Sequence, residues 1–262
     1  MRERILVMVG APLLIAVLLT SCGDETGPTA ALAADRANPS AQLASDSGVS
    51  DERRNQHFQR DFNLERCTFA SRGVNPYFKL QPGYTLVLAG EEEGRRMRER
   101  VRVLDQTEQV NGVTTRVVEE RGWEDGELAE VSRNFFAICE QNNSVFYFGE
   151  ESVHYENGRI VSRTGWRAGV NDARAGLMMP GLPLLGARYF QEIAPGVEMD
   201  RAEIVDVNGV VRTPLRTFRG VLITKATTPL EPGEVDPESY APDVGLIRDG
   251  SLLLVRFGFN VN

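Results

Sequence analysis

The sequence predicts an all-β protein, a single antiparallel meander forming a strongly curved sheet or a partly closed barrel. Three observations carry that prediction. Runs of β-forming residues are separated by Asn111-Gly112, Asp125-Gly126 and Asn157-Gly158, dipeptides that accept the positive φ angles of two-residue hairpins. Arg98–Leu104 alternates Arg98, Arg100 and Arg102 with Val101 and Val103, the period of a half-buried strand. No stretch shows the 3.6-residue apolar period of an amphipathic helix of any length.

The elements follow in order. Arg98–Leu104 turns at Asn111-Gly112 into Val113–Glu120, and Asp125-Gly126 leads on to Leu128–Cys139. Asn142-Asn143 precedes Ser144–Gly149, and Asn157-Gly158 separates Ser152–Glu156 from Arg159–Arg167. Asn171–Gly186 reads as an apolar loop. Beyond it come Arg188–Ile193, Ala202–Asn208, Val221–Thr228, Leu246–Arg248 and Leu252–Phe259. Glu91–Glu93 facing Arg95, Arg96, Arg98 and Arg100 around Gly94 reads as a charged hairpin tip. Arginines along a full strand face argue against a membrane-spanning barrel, whose outer face is apolar.

Composition narrows the function classes. The chain has 262 residues, 42% hydrophobic and 25% charged, an ordinary globular balance that excludes wholly disordered, collagenous and multi-span membrane proteins. Its net charge is −8 with no basic cluster, so nucleic acid is not an expected partner. Three cysteines and two histidines are too few for a site built on several His or Cys ligands. No metal and no cofactor are expected.

The first residues read as an address. Arg2 and Arg4 precede the uncharged run Ile5–Leu19, which is shorter than the roughly 20 residues of a spanning helix. With the small residues after it, this is the layout of a cleavable export signal. Leu19-Thr20-Ser21-Cys22 resembles the lipobox of bacterial lipoproteins. The resemblance implies cleavage after residue 21, acylation of Cys22 and attachment to a membrane through lipid chains, each CH₂ of which contributes about 0.8 kcal/mol. Gly23 in place of Asp implies the outer rather than the inner membrane by likeness to Gram-negative lipoproteins. Cleavage removes two basic residues and one acidic one, taking the charge from −8 to −9, so the anchor and not a basic face holds the membrane.

Residues 22–56 contain no aromatic residue and only Leu32, Leu43 and Val49 as bulky aliphatics. Such a segment buries too little apolar surface to offset its ordering entropy and reads as a disordered tether. Residues 57–262 read as one β domain. Three runs within it, Asn75-Pro76-Tyr77-Phe78-Lys79-Leu80-Gln81-Pro82-Gly83-Tyr84, Phe146–Glu151, and Pro229-Leu230-Glu231-Pro232-Gly233 followed by Tyr240-Ala241-Pro242-Asp243-Val244-Gly245-Leu246, resemble a family of uncharacterised bacterial secreted proteins and lipoproteins. That resemblance implies a shared domain and assigns no reaction, ligand or catalytic residue.

With Cys22 acylated, Cys67 and Cys139 are expected to form a disulfide in an oxidising compartment. Glu150, Glu151, His154 and Glu156 are the one His–carboxylate cluster, and read as a solvated hairpin edge rather than a metal site. No serine-nucleophile motif is present and no pair of acids stands out, so no catalytic residue is assigned. Ala175–Ala187 passes without a charge and carries adjacent methionines. Its Leu177, Met178, Met179, Leu182, Leu184 and Leu185 are candidates for a ligand- or partner-binding surface, because Met adapts to varied apolar shapes; a buried plug across one end of the barrel is the other reading of the segment. The expected function is a non-catalytic, lipid-anchored envelope protein binding an apolar or amphipathic ligand or an envelope protein. The alternatives are a purely structural or interaction lipoprotein and a carboxylate-based, glycan-directed hydrolase.

Overall fold

The computed structural model describes residues 58–259 and Val261. The expected leader, acylated Cys22 and tether lie outside the described residues. A short 3₁₀ turn, Leu64–Arg66, and the small strands β1 (Phe69–Ala70), β2 (Val74–Asn75) and β3 (Phe78–Lys79) open the fold. The meander follows: β4 (Tyr84–Glu92), β5 (Arg95–Val110), β6 (Val113–Glu124), β7 (Glu127–Cys139), β8 (Val145–Glu156) and β9 (Arg159–Arg167). After it come β10 (Arg174–Met179), β11 (Arg188–Phe190), β12 (Glu192–Ile193), β13 (Arg201–Arg212), β14 (Thr217–Thr227), β15 (Asp236–Ala241), β16 (Gly245–Asp249) and β17 (Leu252–Phe259).

The fold is all-β, an antiparallel sheet nearly closed into a barrel with one unsealed seam. The strand order is β11-β13-β14-β15-β16-β17-β4-β5-β6-β7-β8-β10-β12, so the last strand closes onto the first long one. The seam is crossed by a single run of chain. Its first half, β11, pairs with β13, and its second half, β12, pairs with β10. The incoming N-terminal chain adds to this place: the Phe190 N–H donates to the Gln59 carbonyl and the Gln59 N–H to the Arg188 carbonyl, both at 2.9 Å.

The turns behave as their residues require. Asn111, Asp125 and Asn157 have φ of 48°, 49° and 50°, each followed by a positive-φ glycine, the backbone of a hairpin turn that matches strand twist. The charged tip forms as expected, with Glu91 opposite Arg96 and Glu92 opposite Arg95.

Two boundaries are corrected. Ser144–Gly149 and Ser152–Glu156 are one strand, β8, whose second half pairs with β9 while its first half pairs with β10. Asn171–Gly186 is not simply a loop, because Arg174–Met179 is β10, hydrogen-bonded between β8 and β12. A strand enclosed on both sides is uniformly apolar and lacks the alternation by which a half-exposed strand is recognised.

Two apolar regions hold the fold. Inside the barrel lie Leu86, Leu88, Val103, Val118, Phe136, Tyr147, Leu252 and Leu254, all buried. Elsewhere the entry segment packs onto β7 and β8: the Phe69 ring meets Phe146 and Phe148 edge-on at 5.8 and 5.2 Å, and Phe62 meets Phe146 at 5.8 Å. Cys67 and Cys139 stand there at disulfide distance, with Cα atoms 5.1 Å apart.

Candidate functional site: the barrel interior

One end of the barrel is covered by the β2–β3 hairpin. Asn75, fully buried, fastens it: its amide donates to the carbonyls of Asn143 (2.8 Å) and Pro180 (3.0 Å), while its Oδ1 accepts from the Tyr77 N–H (2.8 Å). The Asp243 N–H donates to the Pro76 carbonyl at 2.8 Å, and the Tyr84 hydroxyl donates to the Val244 carbonyl at 2.8 Å. The first and last of the three familiar runs, far apart in sequence, therefore meet over the same barrel mouth. Burial and the neighbouring Asp243 push the Tyr84 hydroxyl up to about 12, so it stays a donor at any physiological pH.

Beneath this cap is a cavity of about 50 Å³. Tyr77 and Phe78 of the cap, Val101 and Val103 of β5, Val118 of β6, Phe136 of β7, Met178 of β10 and Leu246 of β16 line it. One acid, Glu120, reaches this wall, and Lys79, Tyr84 and Tyr240 also line it, the Lys79 ammonium lying 4.8 Å from the Tyr84 ring centre. A buried water needs about 10–15 Å³ measured in this way, so the space corresponds to about four heavy atoms. A shallower depression of about 310 Å³ at Val210–Arg212, Arg248 and Ser251 lies open to solvent on another part of the surface.

Below the cavity the interior turns acidic. The parity of the strands explains how. Glu99 sits two residues before Val101 on β5, and Glu120 lies directly opposite Val101 on β6, so all three share one face. Ser132 of β7 is opposite Glu120, and Ser152 of β8 is opposite Ser132. Glu238 of β15 pairs with Thr224 on one side and Asp249 on the other. Glu99, Glu120, Glu130, Glu150, Glu192, Glu198 and Glu238 are all buried.

Some of these acids have partners built for them. The Thr224 and Tyr240 hydroxyls donate to Glu238 at 3.0 and 2.9 Å. Trp166 donates its indole N–H to Glu198, and Ser152 donates to Glu150. The Tyr147 oxygen contacts both Asn134 Oδ1 and Glu150 Oε2. A phenol carries one proton, so both contacts are satisfied when Tyr147 donates to Asn134 and a protonated Glu150 donates to Tyr147. Other oxygens are buried with no partner in the protein: both of Glu99, and one each of Glu120, Glu192 and Asp200.

Burial dominates the electrostatics. It pushes Glu99 up to about 7, reinforced by Glu238, and Glu130 up to about 8, reinforced by Glu150. Burial likewise raises Asp200 to about 7 and lifts Glu120, Glu192, Glu198 and Asp249 well above the carboxylate range, with neighbouring acids adding to it. A charged carboxylate in low dielectric without a counter-charge is the less stable form, so these groups hold protons. The buried arginine Arg116 is placed otherwise, donating to the carbonyls of Ser71, Leu104 and Gln106.

The sequence-predicted residues are distributed over several places. In Ala175–Ala187, Met178 and Met179 are buried on β10, with Met178 at the cavity, and Leu177 is half-buried. Leu182, Leu184 and Leu185 form an exposed tip, 77%, 62% and 68% accessible. The His–carboxylate cluster divides: Glu150 enters the interior, Glu151 pairs with Arg167 at 2.5 Å, Glu156 is exposed, and His154 lies 3.8 Å from Glu130. Burial lowers His154 and raises Glu130, so that contact joins neutral groups. Among the described residues no three His, Cys, Asp or Glu side chains gather as a metal ion requires. The buried acids converge inside the barrel.

Sequence reasoning assigned no role to Glu99, Glu120, Glu130 or Glu238. The signal was strand parity: Glu99 stands in step with Val101 and Val103, and Glu238 with Tyr240. Comparison with family models, with curated proteins and with solved structures finds no match to this chain.

Proposed function

We propose that this protein is a non-catalytic, lipid-anchored envelope protein whose β domain holds a small apolar or amphipathic ligand inside the barrel, beneath the β2–β3 cap. The supporting observation is the cavity of about 50 Å³, lined mostly by apolar side chains, with Glu120 as its one acid and Lys79 and three tyrosines as its other polar members. A mostly apolar recess with a few placed polar groups is the anatomy of a small-molecule site, here on the scale of a very small ligand. The lipobox-like Leu19–Cys22 would supply the anchor, and Gly23 in place of Asp favours the outer membrane.

The test is thermal and urea unfolding of the mature protein with n-propanol, n-butanol and n-pentanol. Saturable stabilisation is expected, since a ligand bound only by the native state raises stability with its concentration. Val118→Phe, which fills the cavity from β6, is expected to abolish it. No saturable effect with any of the three alcohols would overturn the ligand-binding assignment.

A second role, as a docking module for an envelope protein, draws support from the exposed Leu182, Leu184 and Leu185. Their tip immediately precedes β11, which Gln59 joins by a parallel bridge.

A further inference from the structure

We propose that the ligand carries a cationic end, an alkylammonium group whose N–H donors are taken by Glu99 and Glu120. This assignment rests on the ligand-binding role given above and deepens it by naming the chemistry of the polar end.

The interior provides hydroxyl or indole partners for Glu150, Glu198 and Glu238 but leaves both oxygens of the fully buried Glu99 and one of Glu120 with none. An unpaired buried acceptor is destabilising and rare in native proteins. These two acids have a particular geometry. They are diagonal neighbours on adjacent strands, because Glu120 is registered opposite Val101 and Glu99 lies two residues away on the same face. Diagonal side chains stand roughly 7–8 Å apart at the backbone and somewhat closer beyond it. No hydrogen bond joins the two carboxyls, and the separation suits a donor placed between them. Glu120 is also the acid that reaches the cavity wall, so a group entering from the apolar side meets it first and has Glu99 behind it.

The chemistry of the donor follows by elimination. A second acid adds an acceptor and a like charge. A bare metal ion needs several ligands at 2.0–2.6 Å, and no such grouping exists among the described residues. A guanidinium is a planar fork of five donors, more than the three unpartnered oxygens of Glu99 and Glu120 can take. A primary ammonium has three donors on one atom, holds its charge at neutral pH and forms charge-assisted hydrogen bonds of about 2.7–2.9 Å to carboxylates. Its alkyl chain then occupies the space between Val118, Phe136 and the cap.

The step is balanced as an ionic exchange. The amine enters as R–NH₃⁺, Glu99 or Glu120 releases its proton to solvent, and a carboxylate–ammonium pair replaces a neutral acid. Binding therefore releases up to one proton per ligand, and tightens as pH rises from 5 to 8.

The experiment is calorimetric titration of the mature protein with n-butylamine, n-butanol and n-butyrate in two buffers of different ionisation enthalpy. The expected result is that butylamine binds at least tenfold more tightly than butanol, with proton release, and that butyrate does not bind. Glu99→Gln and Glu120→Gln should each bring the amine down to the level of the alcohol while leaving alcohol binding in place. Glu151→Gln, on the outer face, should change neither. Alcohol binding by both interior variants also shows that they are folded. Equal affinity for amine and alcohol, or amine binding without proton release, would overturn the cationic assignment while leaving the ligand site standing. Binding by none of the three would overturn both.

Discussion

A β-carbon placed on Gly176 would lie 2.4 Å from the carbonyl oxygen of Gln191. Nothing flexible stands there to give way, because the next neighbours are the carbonyl carbon of Gln191 at 2.5 Å and the oxygen of Phe190 at 2.7 Å. The glycine thus sets how closely β10 approaches the run of chain that crosses the seam. Gly176→Ala is expected to destabilise the domain by about 3 kcal/mol, at the upper end of overpacking. Gly112→Ala, at a turn with open space but φ of 79°, should be milder, about 1 kcal/mol from backbone strain alone. Urea unfolding of the two variants checks the contrast, and equal losses would show that the seam is not held this closely.

The acidic interior makes stability fall as pH rises through neutrality. Glu99 and Glu130 have ordinary values of 4.5 and are held at about 7 and about 8 in the folded chain. Above about pH 4.5 the unfolded chain loses these protons while the folded chain keeps them, so the folded state binds more protons. Their contribution is complete below the unfolded value and is lost progressively up to pH 7–8, by about 1.4 kcal/mol per pH unit for each group within its window. On the acid side Glu119 acts oppositely, since the hydrogen bond and charge of Arg121 outweigh its burial and hold it low. The urea midpoint is therefore expected to peak near pH 5 and to fall toward pH 8. Glu99→Gln should raise stability at pH 8 by about 1–3 kcal/mol and change it little at pH 5, where Glu99 is already neutral. A midpoint that climbs from pH 5 to pH 8 would contradict the proton-holding interior.

What the sequence made legible, and what it hid, divides along a physical line. Turns were legible because Asn-Gly and Asp-Gly carry a backbone requirement within two residues. The strands around them followed, and so did the overall class. Arg98–Leu104 was read from its arginines and valines, yet the same alternation carried two residues back places Glu99 inside. That step ran against the rule that acids face water, which the interior breaks by keeping its acids protonated and by giving several of them hydroxyl partners. The edges of β10 were hidden for another reason. Gly176, Met178 and Met179 do not alternate, because the strand is enclosed, and only the fold reveals that a glycine there is a contact and not a turn. Nothing in the sequence indicated that Pro76 and Asp243 would touch.

Cys67 and Cys139 span 72 residues, and their bond ties the entry segment to the end of β7. In the chain-entropy model a loop of this length restricts the unfolded state by about 4 kcal/mol. Replacing both by Ser is expected to lower stability by that order, and to loosen the packing of Phe62 and Phe69 on Phe146 before the barrel itself opens. Hydrogen exchange should then show early loss of protection at Thr68–Ala70 with β5–β7 still protected. Simultaneous loss along the whole sheet would mean that the entry segment and the barrel unfold as one unit.

The apolar segment 175–187 is expected to behave as two unlike halves. Met178 and Met179 are 3% and 1% accessible, so truncating either to Ala removes buried contacts and leaves a cavity, a loss of about 2–5 kcal/mol. Leu182, Leu184 and Leu185 are mostly solvated, and their replacement by Ser should alter stability by no more than about 0.5 kcal/mol. Contiguous exposed leucines are nevertheless unusual on a monomer and mark interaction surfaces when they cluster. The triple serine variant of the full chain is therefore expected to fold normally and, on the docking role proposed above, to lose cross-links to neighbouring envelope proteins, whereas Met178→Ala keeps those cross-links in whatever fraction remains folded. If the serine variant unfolds as readily as the methionine variants, the tip is part of the core. If it is stable and its cross-links are unchanged, the leucines are not the docking surface.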